Sequence, residues 1–190
     1  MTRWQGGERP ATATSSEQSE VTIRARQGSA VSAEALTRPG NRRYAITVLR
    51  GLFTYDVAEE GSIYRHDFDV GALAKLWPLQ PGRSVAFSGR LLSAPASGLQ
   101  PRGPFRQIGT FRARFAAVRR MAVITAAGPF DVVVMERELE RRDLGGRLIQ
   151  RETGEIWFAA ALGWQVRADM RSHAPRQTGH LIELTAVVER

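Results

Sequence analysis

The sequence predicts an all-β protein: a single antiparallel meander rolled into a half-barrel or open barrel, with a disordered N-terminal tail. From residue 44 onward, apolar residues recur with a period of two rather than 3.6, which is typical of strands. Turn signals with Gly and Pro separate these segments at a regular interval and indicate about eight or nine strands. Consecutive hairpins favour a meander order, and a rolled sheet has fewer exposed edges.

The N-terminal segment lacks the composition of a core. Residues 1–20 are polar and cannot bury enough apolar surface to offset the entropy lost on ordering. Residues 21–24 fit a short strand, and residues 29–36 fit either a helical turn or an extended arm. A breaker cluster, Pro39-Gly40-Asn41, follows. We therefore predict a disordered tail or arm over residues 1–40 and an antiparallel β domain over residues 41–190.

The first half of the domain reads as three strands and one short helical stretch. Glu59-Glu60-Gly61 is predicted to be a turn between the second and third strands. Residues 71–76 are the one stretch with helical composition, and Pro78 and Pro81-Gly82 then force a turn. The predicted strands cover residues 44–49, 52–58 and 62–69.

Three later segments alternate clearly between apolar and polar residues. In residues 83–92, one face carries Val85, Phe87 and Leu91. In residues 105–118, Phe111, Ala113, Phe115 and Ala117 are predicted to face inward, with Arg112 and Arg114 facing outward. Trp164, Val166, Ala168 and Met170 alternate with polar residues, and a last strand is predicted over residues 180–190.

The clearest hairpin joins residues 131–141 to residues 147–157, because Asp143-Leu144-Gly145-Gly146 supplies glycines where a turn needs positive φ. A two-residue loop at Leu144-Gly145 places Glu138 opposite Arg151 and Arg137 opposite Glu152. Each opposite-charge pair is expected to contribute roughly 0.2–1 kcal/mol.

Bulk composition excludes some chemistry. The chain has no cysteine, which excludes a disulfide framework, a thiolate metal site and a cysteine nucleophile. The net charge of +8 is compatible with anionic partners, but the arginines are scattered along the chain. On residues 105–118 the arginines and phenylalanines fall on opposite faces, which argues against a stacking surface for nucleic acid.

Targeting signals are missing from the sequence as given. No apolar run has the ~18–20 residues of a membrane span, so the chain is not predicted to be transmembrane. Residues 1–7 lack the apolar segment of a signal peptide. We expect either a cytoplasmic protein or a processed or trimmed form of an exported one.

No group of residues predicts catalysis, a metal site or a cofactor. His66, Asp67 and Asp69 form the most suggestive cluster, since two carboxylates on one strand face can bind Ca²⁺ or Mg²⁺ or act as acid and base. The alternative is a polar strand end beside a turn. His173 and His180 flank a loop and need not converge. No Walker loop, dinucleotide fingerprint or nucleophile elbow occurs, and we predict a protein that is not an enzyme.

Three short motifs carry a family resemblance. They are Trp77-Pro78-Leu79 with Gly82 before a strand, Ala127-Gly128-Pro129-Phe130 before a strand, and Trp157-Phe158 with the segment 162–166. Over about residues 44–188 the chain resembles uncharacterised bacterial exported β-rich proteins of the DUF3108 kind. That resemblance implies a curved sheet like the half-barrels of lipoprotein carriers, a location in the periplasm or cell envelope, and no catalytic residues.

The aromatic residues at turns and strand ends suggest a function. Trp77, Phe130, Trp157 and Trp164 either pack in the core or line a concave apolar pocket, the usual form of a ligand site. The first hypothesis is a non-enzymatic binding module that holds an apolar or lipid-like ligand in the concave sheet. The alternative is a structural or scaffold protein that assembles with a partner chain through edge strands or the N-terminal tail.

Overall fold

The structure is a computed structural model, and it describes residues 2–5, 15–16, 18–38, 42–173 and 178–183. Within these ranges, no helix has the length and apolar character that crossing a membrane requires. The strands are β1 Thr2–Gln5, β2 Ser15–Ser16, β3 Gln18–Gln27, β4 Ala30–Arg38, β5 Arg42–Leu49, β6 Phe53–Glu59, β7 Ser62–Asp67, β8 Ser84–Ser97, β9 Gln100–Pro101, β10 Arg106–Thr125, β11 Gly128–Asp143, β12 Leu148–Ala159, β13 Trp164–Ser172 and β14 Thr178–Glu183. The helix α1 is Val70–Ala74.

The strands form one antiparallel sheet in the order β2-β1-β14-β13-β12-β11-β10-β8-β7-β6-β5-β4-β3, and β9 pairs with β8. Strands next to each other in sequence are neighbours along most of this path, which confirms the predicted meander. The predicted last strand is described as β14, and its remainder after residue 183 lies outside the described residues.

The sheet extends upstream of the predicted boundary at residue 41. Strands β3 and β4 pair with each other, and β4 pairs with β5 from Ala30 opposite Leu49 to Thr37 opposite Arg42. Of the two alternatives for residues 29–36, the extended one is therefore correct. Ladder hydrogen bonds satisfy the backbone of this segment, and the short strand predicted over residues 21–24 lies within β3. The division into two units stays a prediction, and much of residues 1–20 lies outside the described residues.

The sheet curls until distant strands meet. Strands β6 and β12 are five steps apart, which is about 24 Å across a flat sheet. Yet the turn after β5 contacts the turn after β12, because a Cβ built on Gly51 would lie 1.9 Å from the carbonyl oxygen of Gly163. Gly51 also has a φ of +65°, a conformation that favours glycine. The chain is thus a half-barrel whose two sides touch at one rim.

One face of the sheet, the concave face, carries the main hydrophobic core. Phe53 on β6 and Phe115 on β10 pack with ring centroids 6.1 Å apart, although two strands separate β6 from β10. The faces predicted for β8 and β10 are confirmed, since Leu91 and the four predicted inward residues of β10 are buried. Leu73 and Leu76 from α1 and the turn after it complete this core.

Smaller apolar clusters lie on the opposite, convex face. On β11, Val133 and Met135 belong to the concave core, whereas Val132 and Val134 belong to a separate cluster with Val123. The two sets alternate because neighbouring residues of a strand point to opposite faces. A third cluster surrounds Ile63 on β7 and includes the half-buried Phe105.

The β11–β12 hairpin forms as predicted, but its register differs by two residues. The backbone N–H of Asp143 donates to the carbonyl of Arg147, so residues 144–146 form the loop, and Gly146 has a φ of +81°. A bulge at Arg141 and Arg142 shifts the pairing further. Arg151 therefore lies opposite Glu140, and Glu152 lies opposite Leu139.

Both predicted ion pairs of this hairpin nevertheless form, as diagonal neighbours rather than directly opposite partners. Arg151 Nη2 lies 2.6 Å from Glu138 Oε1, and Arg137 Nη2 lies 3.0 Å from Glu152 Oε2. The long side chains of Arg and Glu span the diagonal distance, so the predicted ion pairs can form even though the predicted register differs by two residues.

A bulge also breaks the alternation predicted for β13. Trp157 lies opposite Arg167 and Phe158 lies opposite Gln165, which leaves Val166 as the extra residue. Val166 packs in the convex cluster with Val134, whereas Ala168 and Met170 pack in the concave core. The alternation in the sequence does not translate into one common face for the four apolar residues of β13, because a bulge adds one residue to a strict period of two.

Candidate functional site

A row of half-buried aromatic and aliphatic side chains borders the concave core. Phe68 and Phe87 stack with ring centroids 4.6 Å apart, and Phe87 stacks in turn on the fully buried Phe115 at 6.2 Å. Phe53 contacts both Phe68 and Phe87 edge-on at 5.3 Å. The apolar surface therefore runs without interruption from the core to the partly exposed rings. The half-buried members are Ala30, Tyr55, Phe68, Trp77, Val85 and Phe87.

The segment of residues 68–83 lies over this face. Near its start, the carboxylate of Asp69 accepts a hydrogen bond from the backbone N–H of Gly71 at 2.9 Å and caps α1. Leu73 and Leu76 are buried against the core. The carbonyl of Leu79 accepts a hydrogen bond from Arg120 Nη2 at 3.1 Å. This covering segment connects β7 to β8 and is the main covering of the concave face among the described residues.

Trp77 is the tryptophan of the covering segment. Its ring meets Phe158 of β12 edge-on at 6.2 Å, and the guanidinium carbon of Arg50 lies 4.8 Å from its centroid. Its carbonyl accepts a hydrogen bond from Arg83 Nη1 at 2.9 Å. Trp77 thus joins both sides of the half-barrel near the rim at which Gly51 meets Gly163.

A group of hydrogen-bonded polar side chains lies on the concave face beside the apolar core, and we call it the concave polar cluster. Arg141 Nε donates to His66 Nε2 at 3.2 Å, and Arg141 Nη1 donates to Gln150 Oε1. Gln150 Nε2 donates to Glu152 Oε1 at 2.6 Å, and Arg137 Nη2 donates to Glu152 Oε2 at 3.0 Å. The cluster consists of His66, Arg137, Arg141, Gln150 and Glu152.

His66 is the most buried member, with 5% of its surface exposed. Burial, together with the positive charges of Arg141 and Arg137, lowers the pKa of His66 to about 3, although backbone groups of Tyr55 and Thr54 act in the opposite direction. The imidazole is therefore neutral near pH 7. Because Nε2 accepts from Arg141, the proton sits on Nδ1.

The cluster carries more positive than negative charge. Burial lowers the pKa of Arg141, and the charge of Glu152 only partly compensates. The carboxylate of Glu152 serves two guanidinium groups, since Arg141 Nη1 also lies 3.9 Å from Glu152 Oε1. The Nε of Arg137 is buried and has no hydrogen-bond partner among the described residues. With His66 neutral, two cations and one anion leave a net charge of about +1.

The four aromatic residues predicted to line a pocket lie on both faces of the sheet. Trp77 packs against the concave core, whereas Phe130 and Trp157 pack against the convex cluster. Trp164 lies opposite Ala159, a member of the convex cluster, so it shares that face. The alternation of β12 explains the split, because Ile156 and Phe158 on either side of Trp157 point into the concave core.

The two predicted aspartates are engaged separately. Asp67 Oδ2 accepts from Arg90 Nε at 2.9 Å, whereas Asp69 caps α1. Among the described residues, no three or more His, Asp or Glu side chains are placed to hold a metal ion. His173 contacts Thr153 Oγ1 at 3.0 Å. The side chain of His180 lies outside the described residues.

The sequence identified His66 but not the residues around it. Arg141 lies 75 residues away in the chain, and the sequence placed Arg141 and Arg137 only on the predicted hairpin strand. One signal was present in the sequence: alternation along β11 places Arg137, Leu139 and Arg141 on the same face as the buried Met135. Two arginines on the same strand face as buried apolar residues indicate cations on the core side of the sheet.

No protein-family model matches the chain, and no curated protein matches it. Among solved structures, the chain is similar to the crystal structure of the hypothetical lipoprotein YmcC from Escherichia coli. The TM-score is 0.51 at 11% identity, covering 91% of this chain and 83% of that chain. At this identity the likeness concerns the fold, a curled β half-barrel. The resemblance to the DUF3108 group stays a prediction.

Proposed function

We propose that this domain is a non-enzymatic binding module that holds an apolar or lipid-like ligand against its concave face. The observation that carries the proposal is that half-buried rings border the concave core: Phe68 and Phe87 stack onto it through Phe115, and Trp77 packs against it beside Phe158. Concave apolar surfaces with a few convergent polar groups are the usual form of ligand sites.

The covering segment gives the ligand a place to enter. Its helix has one turn, but Leu73 and Leu76 anchor the segment in the core, so we expect entry beside the half-buried Trp77 rather than by displacement of the whole segment. Trp77 bridges the segment to Phe158. A ligand chain inserted beside Trp77 would replace this ring contact by its own apolar contacts, at about 25 cal/mol for each Å² buried.

We also propose a location in the cell envelope. The similar solved structure is that of a hypothetical lipoprotein, and the sequence motifs resemble exported β-rich proteins. A carrier or receptor for lipid-like molecules at the envelope is consistent with both.

The decisive experiment is native mass spectrometry of the protein purified from its own source, together with lipid extraction of the same sample. We expect a bound apolar molecule in the wild type. Trp77→Ala should lose the adduct while circular dichroism shows an intact fold. Trp157→Ala is the matched control, because Trp157 is also half-buried but packs on the convex face. A clean mass of the unliganded wild type, also after incubation with lipid extract, would contradict the proposal.

The alternative function, assembly with a partner chain, is favoured by the edge of the sheet. Strand β3 is ten residues long and ends the strand order among the described residues. Val21 and Ile23 on this strand are each 44% exposed. Long edge strands with exposed apolar residues are suited to pairing with another chain. A stable complex recovered with an empty concave face would favour this function over ligand binding.

A further inference from the structure

We propose that the concave polar cluster binds the anionic head group of an amphiphile whose apolar tail lies along the row of half-buried side chains that borders the concave core, which includes Phe68 and Phe87. This inference rests on the proposed function and names the class of its ligand: a molecule with one negatively charged head and an apolar chain. The cluster supplies the charge recognition, and the concave core supplies the apolar surface.

The charge of the cluster is the first argument. Arg137 and Arg141 share the single carboxylate of Glu152, and His66 contributes no charge. Half-buried cations that outnumber their counterions raise the free energy of the folded protein. A bound monoanion would complete the pairing. The buried Nε of Arg137, which has no partner among the described residues, is a donor available for it.

The second argument is the position of the cluster beside apolar surface. His66 contacts Phe53 at 5.2 Å and Phe111 at 4.9 Å between ring centroids. Phe53 then contacts Phe68 and Phe87, the partly exposed rings of the row. The cluster and the row therefore pack against the same buried ring of Phe53, which places cationic groups beside an apolar face, an arrangement complementary to an anionic amphiphile.

The test compares three probes by titration calorimetry on the purified full chain after delipidation. Myristate has an anionic head and a tail, methyl myristate has the same tail with a neutral head, and acetate has the head alone. We expect the wild type to bind myristate at least about tenfold more tightly than methyl myristate, since a charge-assisted hydrogen bond contributes this much. Acetate should bind far more weakly than either.

Variants locate the head group. Arg137→Met should remove the preference for myristate and leave the affinity for methyl myristate unchanged. Arg114→Met is the matched control: it makes the same change in net charge at an exposed arginine of the convex face, and it should keep the preference. Should Arg137→Met fail to fold, Glu152→Gln provides the second test. It removes the competing carboxylate and should raise myristate affinity by about tenfold or more.

The outcomes separate the two proposals. Equal affinity for myristate and methyl myristate would overturn the head-group inference and leave the binding module intact. Failure of both tailed probes to bind would overturn both proposals. Acetate binding as tightly as myristate would show a site for free anions and would also overturn the inference.

Discussion

His66 provides the sharpest test of the concave polar cluster, because its burial links the stability of the fold to pH. The pKa of His66 is lowered from about 6.5 to about 3, chiefly by desolvation. As the pH falls, the unfolded chain therefore binds a proton that the folded chain excludes. The stabilisation is fully present above about pH 6.5 and is lost as the pH falls through 6.5 toward about 3.

The magnitude follows from the width of this window. Each pH unit within it costs about 1.4 kcal/mol, so lowering the pH from about 7 to about 5 should remove roughly 2 kcal/mol from the free energy of unfolding. Because His66 is nearly inaccessible, solvent screening does little to reduce this effect. Most carboxyl groups titrate below this interval, which leaves the histidines as the main source of the change.

The assay is urea denaturation, followed by circular dichroism, of the wild type and two variants at both pH values. His66→Gln keeps a hydrogen-bond acceptor for Arg141 but does not titrate, and it should abolish most of the dependence on pH. His173→Gln, at the exposed histidine that contacts Thr153, should retain it. An equal loss of stability in His66→Gln and the wild type would refute the assignment of this pH dependence to His66.

Two further pairs of substitutions test the curl and the core. Gly51→Ala should destabilise the fold by clearly more than Gly98→Ala. Both glycines have positive φ, a conformation that costs alanine about 1–2 kcal/mol at either site. Of the two, Gly51 is the one where the new Cβ meets another backbone, that of Gly163. Equal melting temperatures of the two variants would contradict contact at the rim. Met135→Ala, at a fully buried site, should cost about 2–5 kcal/mol. Met121→Ala, at a 42% exposed site, should cost less than about 0.5 kcal/mol in the same urea titration, and similar costs at the two sites would contradict the assignment of the core.

Much of the fold could be predicted because it depends on local pattern. The alternation of Phe111 and Phe115 with Arg112 and Arg114 determines which face of β10 is buried, wherever the neighbouring strands lie. The turn chemistry around Gly146 likewise indicates the β11–β12 hairpin without reference to the rest of the chain.

The prediction failed where one extra residue changes the period. A bulge moves Val166 to the convex face, and the three-residue loop with the bulge beside it shifts the pairing of Arg151 to Glu140. A strict period of two does not anticipate a bulge, because the extra residue is left unpaired and its own strand bends locally. Local alternation therefore predicts burial within a strand more reliably than register between strands.

The sequence by itself determined the antiparallel β class, the meander order and the absence of cysteine chemistry, because these follow from composition and local periodicity. Only the tertiary structure decided that the sheet curls until Gly51 meets Gly163, that Trp77 and Trp157 lie on opposite faces, and that Arg141 reaches His66. These features depend on twist and bulges accumulated over several strands, so they bring together residues far apart in the chain.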